Sequence, residues 1–245
     1  MEITAVVLTK NEAKNISACL SSLSFCDEII IVDDFSDDNT VALAEKFDAR
    51  VFRRKLDNDF AAQRNFGLGK AGKDWVFFID ADERVSPELK AEILRLDEEK
   101  YQGFFFSRQD VLWGKTLKHG ETAKVRLLRL ARRNDGKWER RVHEEWQVKG
   151  KTMLLKNPLM HYPHQTLDEF IDDINRFSSL HAEANYLEAK RSTLAKIILW
   201  PLGKFVYNYI ILLGLLDGTR GFVIAMLMSL HSFLAWGKLW KISRS

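Results

Sequence analysis

Asp80-Ala81-Asp82 sets two carboxylates two residues apart, directly after an apolar run over 75–79. Hard oxygen ligands at that spacing reach one hard cation, Mg2+ or Mn2+, and no soft ligand accompanies them. A cation held there bridges the phosphates of a nucleoside-diphosphate donor and offsets the charge growing on the leaving group. The competing reading makes these acids helix caps, but Ser86-Pro87-Glu88 already provides a cap and first turn for the next helix. Two more polar clusters close apolar runs in the same way. Thr9-Lys10-Asn11-Glu12 follows 3–8, and Asp33-Asp34 follows 28–32.

The elements that must position these clusters alternate in type. Strand-like runs at 3–8, 28–32, 49–52 and 74–79 are separated by helical patterns through Ile16, Leu20 and Leu23, through Ala42, Leu43 and Phe47, and through 63–66. This alternation predicts an α/β fold, a mostly parallel sheet with helices on both faces. Ligands of such sheets lie outside the carboxyl ends of the strands, and all three polar clusters fall there. Beyond residue 100 the chain is richer in Trp, Arg and Phe, with strand-like stretches at 103–107, 125–130 and 152–155; from Thr166 it turns helical.

At 245 residues the chain suffices for one large domain or a domain with an appendage. Its formal net charge of +3 gives no general basic face for a nucleic acid. Cys19 and Cys26 form neither a disulfide framework nor a zinc motif and read as reduced thiols of the cytoplasm. Met1-Glu2-Ile3-Thr4 runs straight into a strand pattern without a basic, cleavable leader, so export is not expected.

The four segments Thr9-Lys10-Asn11-Glu12, Val32-Asp33-Asp34-Phe35-Ser36-Asp37-Asp38, Ala62-Gln63-Arg64-Asn65 and Ile79-Asp80-Ala81-Asp82-Glu83, in this order, resemble the family 2 glycosyltransferases of GT-A fold. Trp138-Glu139-Arg140-Arg141-Val142-His143-Glu144, His161-Tyr162-Pro163 and the apolar C-terminus resemble a subgroup that adds sugars to the lipopolysaccharide inner core. The resemblance implies that Thr9, Asn11 and Glu12 line a nucleoside pocket and that Asp34 accepts from the base, typically uracil. Asp33 shapes the turn. Arg64 approaches the base or diphosphate, a role its fork of donors suits, against a solvated helix-face cation. Phe35 stands where many relatives carry Gly.

An inverting transfer also needs a base for the acceptor hydroxyl, from a segment other than the metal pair. Val142-His143-Glu144-Glu145 supplies it, with Glu144 the first choice and Glu145 the second. His143 is a candidate to orient the base or ligate the metal; a surface acidic pair is the plain alternative. His161, in a loop flanked by Pro158 and Pro163, is a further candidate for the metal or diphosphate, against a structural histidine. Arg126, Arg129, Arg132, Arg133, Arg140 and Arg141 read by default as a solvated face, with a phosphorylated acceptor as the functional alternative.

The stretches 194–216 and 221–237 are the most apolar, yet Lys204 interrupts the first and the second has only about seventeen residues, short of a span. Wide apolar faces edged by Lys, Trp and Tyr fit helices lying in a membrane interface, joined by a turn at Asp217-Gly218-Thr219. A contact between copies in a homo-oligomer, or a lid, is the alternative.

The chain thus reads as a GT-A catalytic domain over 1–165 (nucleotide-sugar half 1–100, acceptor half 101–165) and a helical extension over 166–245. The expected activity is transfer of a sugar from a nucleoside-diphosphate donor, UDP-hexose favoured, to a lipid-linked glycan at the cytoplasmic face of the bacterial cell membrane. Transfer to a polyprenyl phosphate and a non-catalytic nucleotide- or sugar-binding module remain the alternatives.

Overall fold

The structure, a computed structural model, describes residues 1–121, 123, 125–140, 144–163 and 166–244. It resolves into two compact units, Met1–Arg108 with Val125–His161, and Gln109–Lys124 with Tyr162–Ser245.

The first unit opens with β1 (Ile3–Thr9), α1 (Ile16–Ser22), β2 (Glu28–Asp33), α2 (Thr40–Glu45), β3 (Arg50–Arg53), α3 (Phe60–Lys70) and β4 (Trp75–Asp80). Then come β5 (Glu83–Arg84), α4 (Pro87–Ile93) and β6 (Gly103–Leu112), whose far end pairs in the second unit with β7 (Lys115–Thr116). The first unit closes with β8 (Arg126–Arg132), β9 (Gly136–Glu139), β10 (Glu145–Val148), β11 (Thr152–Leu154) and β12 (Leu159–His161). The sheet runs β3-β2-β1-β4-β8-β6-β12-β5, with β11 on β6 and β9-β10 as a separate hairpin.

The β3, β2, β1 and β4 strands are parallel, and β8 then joins β4 antiparallel, so the sheet is parallel in its first half and mixed in its second. The parallel half is explained by composition. β1 and β4 are buried almost throughout, as strands covered on both faces must be. One covering layer packs Val7, Phe77 and Ile79 under α1 and α4; the other packs Val6, Val32 and Phe78 under α3 and the hairpin tryptophans. α3 lies so close that a Cβ on Gly67 would sit 2.5 Å from Val6 Cγ1. Register then brings the chemistry together, for Thr9 sits beside Asp33 and Leu8 beside Asp80.

The second unit contains α5 (Leu167–Leu187), α6 (Leu194–Val206) and α7 (Thr219–Ile242). Thr166 and Glu169 form a reciprocal capping box at the start of α5, and Thr193 caps α6. A π turn (Tyr207–Ile211) and a 3-10 turn (Gly214–Asp217) connect α6 to α7. Asp217 accepts from the Lys118 and His119 backbone N–H groups, securing the Gln109–Lys124 segment to this turn.

Candidate active site

Two loops at the carboxyl ends of β1 and β2 interlock. Asp33, fully buried, accepts from the Thr9 hydroxyl (3.2 Å) and from the Ser36 backbone N–H (3.0 Å), which makes it the organiser of the turn. Asn11 adopts φ 55° and Phe35 φ 53°. That left-handed geometry is natural for glycine and costs a phenylalanine, so Phe35 keeps the conformation and not the residue type. Lys10 Nζ donates to the carbonyls of Asp34 and Phe35 at 2.6 and 2.7 Å and holds the strained turn. Asn11 Oδ1 accepts from the Asp37 backbone, Glu12 N–H donates to Thr40, and Asp34 Oδ1 accepts from the Leu56 backbone at 2.9 Å. The Thr9 hydroxyl and these two Oδ1 atoms thus shape the loop rim.

The Ala62-Gln63-Arg64-Asn65 segment of α3 divides its labour by helical phase. Gln63 turns back to Arg54, whose guanidinium and carbonyl it satisfies at 2.6 and 2.8 Å. Asn65 clasps the Trp138 backbone from both sides, at 2.8 and 3.0 Å, and so fixes the β9-β10 hairpin against α3. Arg64 projects between them, only 3% exposed, its guanidinium 4.8 Å from the Trp138 ring centroid and 5.8 Å from that of Phe78. Arg64 Nε donates to Glu144 Oε1 at 2.9 Å and a terminal nitrogen donates to Asp80 Oδ1 at 3.0 Å. One buried arginine therefore ties the candidate base to the first acid of the Asp-Ala-Asp motif.

Asp80's other oxygen accepts from Arg129 at 2.6 Å, and Arg129 also donates to Glu83 at 3.1 Å. Glu83 is wholly buried and accepts from the Asp80 backbone N–H at 2.9 Å. Burial works to raise the Asp80 carboxyl, but the guanidiniums of Arg129 and Arg64 outweigh it and hold it well below the usual carboxylate range. For Glu83 burial wins: its carboxyl is pushed up, with the Asp80 charge adding to the effect of burial. Asp82 faces elsewhere, 3.1 Å from His161 Nε2. Glu12 is pushed up to about 7, first by burial and then by the charges of Asp82, Asp80 and Asp38, against a hydrogen bond from Asn15.

The residues named from sequence thus form two separate sets, Asp80–Arg64–Glu144 and Asp82–His161, and Glu12 feels the charges of both aspartates. His161 lies on a strand and not in a loop, because β12 pairs antiparallel with β5 and sets it opposite Glu83. Glu145 is left outside: it points to Arg140 at 3.0 Å, with both side chains more than half exposed. His143 and Arg141 lie outside the described residues. Ser86 caps α4, accepting from the Leu89 backbone, which leaves the Asp80–Asp82 acids free of capping duty.

Arg129 is a correction to the solvated-face reading of the middle arginines, being 4% exposed and paired to two carboxylates. It follows Leu128 and precedes Leu130, which pairs with Phe77, while Arg126, at the strand's end, is exposed. Glu83 went unremarked beside the two aspartates. Arg64 and Arg129 each retain a buried N–H, on a terminal nitrogen and on Nε respectively, without a hydrogen-bonding partner.

A family model described as glycosyl transferase family 2 matches residues 4–156. The lipopolysaccharide core biosynthesis glycosyltransferase LpsC of Rhizobium meliloti is 30% identical over 98% of this chain and 93% of its own length. An uncharacterized glycosyltransferase of Rickettsia felis is 27% identical, covering 97% of this chain and 89% of that protein. Among solved structures, S. aureus TarS in complex with UDP matches 100% of this chain and 91% of its own at a TM-score of 0.50 and 14% identity, a likeness of fold.

Proposed function

The chain belongs to glycosyl transferase family 2, a glycosyltransferase of GT-A fold, and from that premise we propose that it moves a sugar, with inversion, from a nucleoside-diphosphate donor to a lipid-linked glycan such as the lipopolysaccharide core. UDP-hexose is the favoured donor, in keeping with what the resemblance of residues 32–38 implies for Asp34 as an acceptor from uracil. The acceptor class follows the name of the Rhizobium meliloti relative, to which the likeness extends along nearly the whole chain. Residues 1–165 carry the catalysis, with 101–165 meeting the acceptor and 166–245 as the helical extension. The enzyme sits peripherally on the inner face of the cell membrane.

The observation that carries this reading is Arg64, which joins Asp80 to Glu144 while keeping a buried donor for an anion. Thr9, Asn11, Glu12 and Asp34 border the nucleoside; Arg64 and Arg129 offer N–H groups toward the diphosphate. Mg2+ or Mn2+ would be held by Asp82 and His161, with Asp80 alongside. Among the described residues no group of three or more His, Cys, Asp or Glu is arranged as a metal cage. The donor set still fits a hard cation that arrives with phosphate oxygens and water, as Mg2+ does. When bound, such a cation stabilises charge on the leaving diphosphate.

Glu144, 16% exposed, removes the proton as the acceptor hydroxyl attacks the anomeric carbon from the face opposite the diphosphate. Its Arg64 partner holds the carboxylate in one orientation and joins the charge of the donor side to the base. Glu145, half exposed and paired to Arg140, is the second choice. The test is a pair of readouts on Glu144→Ala. Nucleotide binding persists and transfer is lost; wild-type turnover in that variant refutes the assignment of the base.

A further inference from the structure

Charge is unevenly divided along the chain. From Lys190 onward it holds eight Lys or Arg and a single acid, Asp217, whereas the residues before Lys190 hold 29 Lys or Arg against 33 Asp or Glu. The same basic segment carries a broad apolar surface. α6 exposes Leu194, Ile198, Leu202 and Val206, each one turn from the last, with Leu199 and Trp200 beside them. α7 exposes Phe222, Met226, Leu230, Phe233 and Trp240, the three-to-four spacing of one helical stripe. Phe222 meets Phe205 and Tyr209 edge-on at 5.8 and 5.6 Å, so the two surfaces adjoin. Leu194 is 69% exposed and Ile211 64%, more than a side chain of this kind gains by facing water.

By length and composition alone α7 suffices to cross a bilayer. Its other face argues against crossing. Leu227 packs with Phe170 and Ile174 of α5, and Lys238 Nζ donates to Asn175, Ser178 and Ser179 of the same helix at 2.6–2.8 Å. α5 carries Asp168, Glu169, Asp172, Asp173, Arg176 and Glu183, which hydrocarbon excludes. α7 could span only by giving up α5. An in-plane position keeps that packing and still buries the exposed stripe.

The cations stand at the margins of the surface. Lys190 and Arg191 precede α6, while Lys241 and Arg244 end α7; Arg244 lies 4.5 Å from the Trp240 ring centroid and Lys196 4.9 Å from that of Trp236. Trp beside a cation is the pairing expected at headgroup depth.

We infer that α6 and α7 form an in-plane anchor for an anionic leaflet: the apolar stripes enter the acyl boundary and the surrounding Lys and Arg pair with lipid phosphates. This deepens the peripheral placement proposed above and rests on it. The test uses full-length protein and flotation with phosphatidylcholine vesicles made with and without phosphatidylglycerol. Binding at least about tenfold tighter to the anionic vesicles, weakened by salt, is the expected result. The Arg191→Glu, Arg244→Glu double variant loses about tenfold of its affinity for anionic vesicles and little for neutral ones. Leu202→Glu weakens both. Trp200 and Trp240 are quenched more by lipids brominated near the headgroup than at the chain end. Equal binding to both vesicles keeps the membrane placement and overturns the anionic anchor. Quenching deepest at the bilayer centre overturns the in-plane geometry, and association into dimers without vesicle binding overturns the anchor and the placement together. UDP-induced thermal stabilisation, read on the same variants, stays at the wild-type value in every one of these outcomes and so separates the anchor from the donor site.

Discussion

The two units invert each other's chemistry. In the first, charge lies inside: Arg64, Arg129, Asp80 and Glu83 form one ion-pair network in which both arginines and Glu83 are buried. In the second, the apolar side chains lie outside, along α6 and one stripe of α7. Buried charge survives only where partners compensate it, and an exposed apolar stripe is tolerated only where something else covers it. Each unit thus departs from the ordinary inside-out rule where its function is proposed to lie.

Substitutions that exchange polarity should break that contrast, with very unequal effects. The largest belongs to Glu144→Gln: transfer falls by roughly 10²–10⁴-fold while UDP affinity stays within about threefold, the range expected for a general base. Enzymatic assay beside calorimetry separates the two. Next comes Arg129→Ala, which strands Glu83, leaves Asp80 with Arg64 alone and should cost about 3–5 kcal/mol of stability in a denaturant titration. Arg129→Lys should recover part of it, because the charge returns without the fork of donors.

Glu12→Gln should act more mildly and only on one side of neutrality. Its carboxyl titrates near 7 in the fold against 4.5 ordinarily, so the folded protein is penalised once Glu12 ionises. The variant's advantage should be absent below about pH 4.5, grow as pH rises to about 7 and level off above, at about 3 kcal/mol. Melting curves across that range check it; an advantage that shrinks with rising pH contradicts the sign. The smallest effect on stability is expected from Leu202→Glu, within about 0.5 kcal/mol in vesicle-free buffer. A cost of several kcal/mol there would show that this face of α6 packs against protein.

Much of the first unit was legible because strand periodicity and polar strand ends are local features. β1, β2, β3 and β4 fall within a residue or two of their predicted positions, and register alone aligned Thr9, Asp33 and Asp80. The short strands were hidden. β5 and β12 stabilise each other across some seventy-five residues, and three-residue Leu159–His161 has no periodicity of its own. The β9-β10 hairpin is likewise tertiary, fixed by Asn65 on the Trp138 backbone and by the Trp138–Trp146 stack. That clasp is what delivers Glu144 to Arg64. Arg129 was misread for a related reason: its place in the sheet, and nothing in the local sequence, sets it apart from Arg126, Arg132 and Arg133.

If Asp82 and His161, with Asp80 alongside, hold the donor's cation as proposed, nucleotide binding depends on a divalent metal. The direct measurement is calorimetric titration of UDP into the full-length protein with and without Mn2+, for wild type and Asp82→Ala. Mn2+ should tighten UDP binding to the wild type by at least about tenfold, or 1.4 kcal/mol, and Asp82→Ala should abolish this gain. Equal UDP affinity with and without the metal, or a gain that survives in Asp82→Ala, would contradict the proposed site.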